Sequence, residues 1–266
     1  MTNPTRLPAA SLGEAADLLF TADADRRPIG PLTERYPGLD LADAYAVQQL
    51  NMTRRLGNGA RLVGHKIGLT SEPMQTLLGV DEPDFGYILD DMVVADGAAV
   101  PRSRFCAPRV EPEVAFLLRD PLRGPGVTVA DVRAATEAVA VALEIVDSRI
   151  ADWKLTLHDT VADNASSGAV VLGEWIAFTD DVDLINARAS LRLNGTEVDS
   201  GVGSAVLGDP AAAVAWLANA LAPFGTEILP GQFIMSGSFT TAAFVHPGDG
   251  ASAAISGLGT VSLTFT

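Results

Sequence analysis

An α+β fold, with a mixed β-rich body behind a helical N-terminal region, is predicted by three observations. Residues before Arg61 carry helical periodicity with capping signals. From Arg61 onward, short β-rich pieces alternate with Gly, Pro and Asp turns. The regular strand–helix alternation of a doubly wound fold is missing, and no glycine-rich phosphate loop follows a strand. The expected division is a helical region over 1–60 and a mixed β-rich region over 61–266, forming one structural unit. With 266 residues, 48% of them hydrophobic, the chain can bury a sizeable core.

The elements follow in order. Ser11-Leu-Gly-Glu14 has capping-box spacing and opens a first helix through Ala15 to Phe20. Pro28 and Pro31 mark a linker. Asp40 is the expected N-cap of a second helix, Leu41 to Leu56, closed by Gly57-Asn-Gly59 and buried through Ala44, Val47, Met52 and Leu56. Strands are then expected at Leu62–Leu69, Val93–Val94, Val110–Leu118, Val139–Ile145, Ala169–Leu172, Ala189–Leu193, Phe233–Met235 and Val261–Phe265. Asn194-Gly195 signals a hairpin, because both residues tolerate the positive φ of a tight turn. Two helices interrupt this region: one from Thr128, with Asp131 at N3, to about Ala138, and one from Asp209-Pro210 to Leu221, stopped by Pro223 and Gly225.

Charge and cysteine usage narrow the function. There are 33 acidic residues against 18 basic ones, a formal charge of −15, which would repel phosphate backbones, so no nucleic-acid partner is expected. The lone Cys106 has no intramolecular partner and reads as a small core residue in a cytoplasmic protein. Met1 to Leu19 lacks the basic start and apolar block of a leader. No window reaches the roughly 18 uninterrupted apolar residues of a spanning helix, so no membrane partner is expected.

Chemistry concentrates in carboxylates. In Arg109-Val-Glu111-Pro-Glu113-Val-Ala-Phe-Leu-Leu118, two glutamates stand just before an apolar strand run, and extended backbone would point both to one side. Glu144 interrupts the apolar run Val139–Val146, where an unpaired carboxylate is costly. Two readings stand at this point. One is a solvated strand end, with Glu144 paired to Arg149. The other is a hard, all-oxygen site for Mg²⁺ or Mn²⁺. The scattered His65, His158 and His246 show no zinc-ligand spacing.

Five segments come in one order: Gly64-His-Lys66-Ile-Gly68-Leu-Thr70, Pro83-Asp84-Phe-Gly86, Glu111-Pro-Glu113, Ala142-Leu-Glu144-Ile-Val-Asp147-Ser-Arg149 and Asp159-Thr-Val-Ala-Asp163-Asn-Ala-Ser166. Their order and spacing resemble the 2-keto-4-pentenoate hydratase / oxalocrotonate decarboxylase family. The resemblance spans nearly the whole chain, from about Tyr36 to Gly259. It implies a fumarylacetoacetate-hydrolase-like C-terminal-domain fold with N-terminal helices, in which 61–266 is the catalytic region. It implies Mg²⁺ or Mn²⁺ held by Glu111, Glu113 and Glu144, catalytic roles for Lys66, Asp84 and Ser166, and substrate contacts from Leu69, Asn164, Ser238, Phe239 and Thr240. Asp84, after Pro83 and before Phe85-Gly86, is expected in a tight turn.

The implied reaction adds water to a 2-hydroxy-2,4-dienoate, the enol of a small unsaturated 2-keto acid, giving a 4-hydroxy-2-oxo acid in aromatic-compound catabolism. The implied assembly is a homo-oligomer, with an aldolase or decarboxylase of the same pathway as a further partner. Within the same resemblance lie 4-oxalocrotonate decarboxylation and hydration of 2-oxohept-4-ene-1,7-dioate. An acylpyruvate C–C hydrolase is disfavoured by the lack of a His–Glu pair, and a non-catalytic subunit by the presence of Lys66, Asp84 and all three glutamates.

Overall fold

The chain opens with helices α1 (Ala9–Asp25), α2 (Leu32–Arg35) and α3 (Leu41–Gly57). The structure is a computed structural model that describes residues 7–71, 75–76 and 79–266; the start of the leader reading, residues 1–6, lies outside them. Asp40 caps α3 in a reciprocal box with Asp43. Helix α1 departs from expectation: it begins at Ala9 behind Pro8, with no side-chain cap, so Ser11 and Glu14 lie inside its first turns. Proline's fixed φ sets the helix entry instead. Leu56 is also exposed, because helical rotation carries it off the stripe formed by Ala44, Val47, Gln48 and Met52.

Strands β1 (Leu62–Gly68), β2 (Asp84–Leu89), β3 (Val93–Val94), β4 (Ala99–Val100) and β5 (Arg109–Leu118) follow. Helix α4 (Val129–Ala135), capped by Thr128 with Asp131, ends sooner than expected because β6 (Thr136–Val146) already pairs with β5 from Thr136 onward. Next come α5 (Leu157–Ala162), β7 (Ser167–Leu172), β8 (Ile176–Ala177), and the hairpin β9 (Arg188–Leu193) with β10 (Thr196–Val202). Its turn has Asn194 and Gly195 at φ 53° and 78°, as the Asn-Gly signal requires. Helix α6 (Pro210–Leu221), β11 (Phe233–Ser238), β12 (Ala243–Phe244), β13 (Gly250–Ile255) and β14 (Gly259–Phe265) complete the chain.

Two sheets result. The larger runs β2-β1-β11-β5-β6-β7-β3, with β12 against β5 and β8 against β6; the smaller runs β10-β9-β13-β14-β4. The smaller sheet packs on β5 and β6, while α6 packs on β11 and β1. Covered on both sides, β5 and β6 carry near-continuous apolar sequence, with Val114, Phe116, Val139, Val141 and Leu143 fully buried. The larger sheet curls until β2 meets β7 and the turn before it. The stretch Gly203–Phe224 is long and apolar enough to suit a membrane by composition, yet it comprises α6 flanked by short 3₁₀ turns. Ala211, Ala213, Val214, Leu217 and Leu221 are buried against the sheet, so it serves as a core helix.

Helices α1, α2, α3 and α5 share a second apolar cluster with Leu39 and Ile150. Buried Gln48 ties this layer to the sheet by donating to the carbonyls of Phe85 (2.9 Å) and Val161 (3.0 Å). The helical layer thereby fixes β2, which carries Asp84.

Candidate metal centre and its surroundings

The β5–β6 register places Glu111 opposite Glu144 and Glu113 opposite Ala142. Strand alternation therefore turns all three glutamates to one face. One carboxylate oxygen from each lies within 4.8 Å of the others. Glu113 Oε2 accepts from the Gly237 amide at 2.8 Å, whereas both oxygens of Glu144 are buried without a hydrogen-bond partner among the described residues. Gly237 is required here: its φ is 108°, and a Cβ would fall 2.2 Å from Thr70 Oγ1. Burial, then repulsion from Glu144, pushes the Glu111 carboxyl up to about 7, and the same causes raise Glu113 well above the ordinary range.

Lys66 and Asp84 complete the cluster from the far side of the curled sheet. Lys66 Nζ lies 3.4 Å from Glu144 Oε1 and donates to the Ala165 carbonyl at 2.9 Å. Burial alone would lower its pKa; Glu144, Asp84, Glu113 and Glu111 together outweigh that, and the ammonium is held above its usual range. Asp84 corrects the tight-turn expectation. It is the first residue of β2, paired across from Gly68, and 2% exposed. A Cβ on Gly68 would overlap Asp84 Oδ1 at 2.2 Å and press Lys66 Nζ at 3.3 Å, so a bare backbone there leaves room for both side chains. Burial raises the Asp84 carboxyl to about 6 against the pull of Lys66.

The remaining candidates divide. Ser166 is buried, and its hydroxyl bonds Thr160 Oγ1 at 3.0 Å. The Asn164 amide is committed to the backbone of Tyr87, accepting from its N–H (2.8 Å) and donating to its C=O (2.9 Å), which makes it a clamp on β2. Leu69 has φ 56° directly after β1 and is partly buried. Ser238 ends β11 opposite Glu113, with its hydroxyl bonded to the Thr240 carbonyl. Thr240 Oγ1 donates to Thr241 O at 3.1 Å. Phe239 is 3% exposed within the main core.

Sequence reasoning misplaced Arg149 and passed over Arg109. Arg149 does not pair with Glu144; it bonds Asp163 and approaches Asp147 instead. Arg109, on the glutamate face of β5, lies over the rings of Trp153 (4.3 Å) and Phe244 (4.0 Å), and its buried Nε has no hydrogen-bond partner among the described residues. Its place two residues before Glu111 was the available signal, since alternation puts it on the same face. A cavity of about 830 Å³ lies away from the carboxylates. It lies between α1, α3 and the back of residues 163–168, with Arg149 and Asp163 in its wall.

An all-carboxylate donor set, with a buried Glu144 that has no hydrogen bond among the described residues, fits a hard divalent cation, and the single Lys66 ammonium does not neutralise the three carboxylates. Residues 50–266 match the model of the family described as Fumarylacetoacetate (FAA) hydrolase C-terminal. A 2-hydroxyhexa-2,4-dienoate hydratase of Comamonas testosteroni is 46% identical over 93% of this chain and 95% of its own. A 2-hydroxypent-2,4-dienoate hydratase of Pseudomonas putida is 47% identical over 80% of this chain and 97% of its own. Among solved structures, 4-oxalocrotonate decarboxylase from Pseudomonas putida G7, complexed with magnesium and adipate, superposes with a TM-score of 0.96 at 37% identity. That match covers 99% of this chain and 100% of the other.

Proposed function

The chain belongs to the fumarylacetoacetate hydrolase C-terminal family, and on that premise we propose that it is a divalent-metal-dependent hydratase, a lyase acting on a 2-hydroxy-2,4-dienoate. With 2-hydroxypenta-2,4-dienoate the product would be 4-hydroxy-2-oxopentanoate. The observation that carries this reading is the buried Glu144 carboxylate, ion-paired with Lys66 but without a hydrogen bond among the described residues, and within reach of two further glutamates.

Mg²⁺ or Mn²⁺, held by Glu111, Glu113 and Glu144, would stabilise negative charge on the substrate's C2 oxygen as a Lewis acid. The chain's own residues supply the proton traffic. The enol must gain a proton at the far carbon, C5, as its hydroxyl proton leaves, which gives a 3-ene conjugated to the keto group. Water then adds at C4 and a proton at C3. Asp84, with a pKa of about 6, can take up and release a proton near neutral pH. The Lys66 ammonium, fixed by Ala165 O, holds positive charge beside it. Both are nearly inaccessible to bulk water, which would limit leakage of the proton.

The test is to offer the purified chain freshly made 2-hydroxypenta-2,4-dienoate, and separately 2-oxo-hex-3-enedioate, with Mg²⁺ or Mn²⁺. Ultraviolet loss with formation of the 4-hydroxy-2-oxo acid supports hydration. Release of CO₂ supports the second reading, decarboxylation, which is favoured by the close superposition on the decarboxylase. Turnover of neither substrate defeats both. The expected homo-oligomer is tested by light scattering on the same preparation.

A further inference from the structure

Asn164, Ala165 and Ser166 have φ of 56°, 51° and 53°: three successive non-glycine residues in the left-handed region. L-residues enter that region singly, and a run of three persists only when its surroundings impose it. What this turn presents is the Ala165 carbonyl, the hydrogen-bond acceptor of Lys66 Nζ.

Arg149 straddles the turn. Its backbone N–H and Nε donate to the two carboxylate oxygens of Asp163 (2.9 and 2.6 Å), and Nη2 donates to the Asp163 carbonyl (2.8 Å), just before the turn. Its Nη1 donates to the Ser167 carbonyl (3.1 Å), just after it. Asp147 backs the arrangement: its N–H donates to Ser166 O, and its carboxylate accepts from the amides of Cys106 and Ala107. Arg149, Asp163 and Asp147 are each at most 5% exposed. Only a planar, multi-donor guanidinium can bond both ends of such a turn; a lysine ammonium cannot.

We infer that Arg149 and Asp163 are positioning residues, a latch that aims the Ala165 carbonyl at Lys66 and so fixes the ammonium in the active site. This inference deepens the proposed function and rests on it for the role of Lys66. The geometric claim is readable without turnover. The chain has two lysines, Lys66 and Lys154, and Lys154 is exposed. In [¹⁵N]lysine-labelled protein, the Lys66 ammonium should therefore give a slowly exchanging signal that Lys154 does not.

The variants are Asp163→Asn, Arg149→Lys and Arg149→Ala, with Val161→Ala in the neighbouring core as a control for stability loss. Mutations remote from chemistry that shift a group by about 1 Å can cost about a hundredfold in rate. Asp163→Asn and Arg149→Lys should lose kcat on that scale, with KM and Mn²⁺ affinity within about threefold, and the Lys66 signal should exchange fast. Millimolar guanidinium, entering through the adjacent cavity, should restore part of the Arg149→Ala activity. If Asp163→Asn keeps both kcat and the slow Lys66 signal, the latch is overturned. It is equally overturned if Val161→Ala, at matched loss of melting temperature, reproduces the kcat loss. Wild-type protein that shows the slow signal but turns over no dienoate sinks the functional reading and leaves the latch standing.

Discussion

Strand β1 turns two neighbouring ionisable residues to opposite faces of the larger sheet, and their fates diverge completely. Lys66 faces Glu144, Asp84, Glu113 and Glu111, which hold it charged. His65 faces Tyr87 at 5.4 Å between ring centroids, with neither nitrogen hydrogen-bonded among the described residues, and burial pushes it down to about 4, so it is neutral near pH 7. Both are nearly inaccessible. Burial alone therefore does not decide charge in this protein; the presence of opposite charge does. The front face carries four carboxylates against one ammonium, an imbalance that a divalent cation relieves. On the other side of β1, burial with no opposite charge acting on His65 excludes even an imidazolium.

The strongest way to break the front face is Glu144→Gln. It removes one oxygen anion from the trio and the charge partner of Lys66, so turnover should fall by about a thousandfold or more. Calorimetric Mn²⁺ binding should vanish while a cooperative melt persists; retained Mn²⁺ affinity would refute the assignment of Glu144 as a ligand. Asp84→Asn should be next in size. The amide keeps the shape beside Gly68 but cannot exchange the proton, so kcat should drop about a hundredfold or more with Mn²⁺ affinity little changed. Full activity in that variant would remove Asp84 from the proton path.

The two faces were unequally legible in the sequence. Glu144 betrayed itself because a carboxylate inside Val139–Val146 has no inexpensive solution other than a partner or a cation. Asp84 was misread as a turn residue because Val80-Asp-Glu-Pro83 punctuates the chain and Gly86 weakens the strand pattern. That glycine exists because the Asn164 carbonyl would lie 2.5 Å from any Cβ there. Strand β13 was missed because Gly250-Ala-Ser-Ala-Ala has little β-propensity; its hydrogen-bonded neighbours β9 and β14 make it a strand. The Arg149–Asp163 latch had no local signal at all, since its meaning depends on a left-handed turn that no residue type in Asn-Ala-Ser dictates.

The contrast sharpens with pH. A protonated carboxyl cannot ligate, and Glu111 has been pushed to about 7 with Glu113 higher than ordinary. Mn²⁺ affinity should thus rise with pH through about 7, by roughly tenfold per unit for each proton displaced. In the metal-free chain the sign is reversed. Raised carboxyls favour the folded state while protonated, so that contribution is present below the ordinary carboxyl range and is lost as pH rises toward about 7. The metal-induced gain in melting temperature should accordingly be larger at about pH 8 than at about pH 6. An equal gain at both would mean that the carboxyls do not share one site.

The smallest effect belongs to the back face, and it separates the two residues of β1 cleanly. His65 has a folded pKa of about 4 against 6.5 for the free side chain. Its neutral form favours folding, so that contribution is present above 6.5 and is lost as pH falls from 6.5 through about 4, opposite in direction to Glu111. His65→Leu removes both the proton linkage and two buried, unpartnered nitrogens, so it should stabilise the chain by about 1 kcal/mol at neutral pH. The gain should grow on acidification, as measured by denaturant unfolding. Because the side chain lies on the face away from Lys66, kcat should stay within about twofold. A loss as large as that of Asp84→Asn would mean that the imidazole acts on the site through the strand, and the two faces of β1 would no longer be independent.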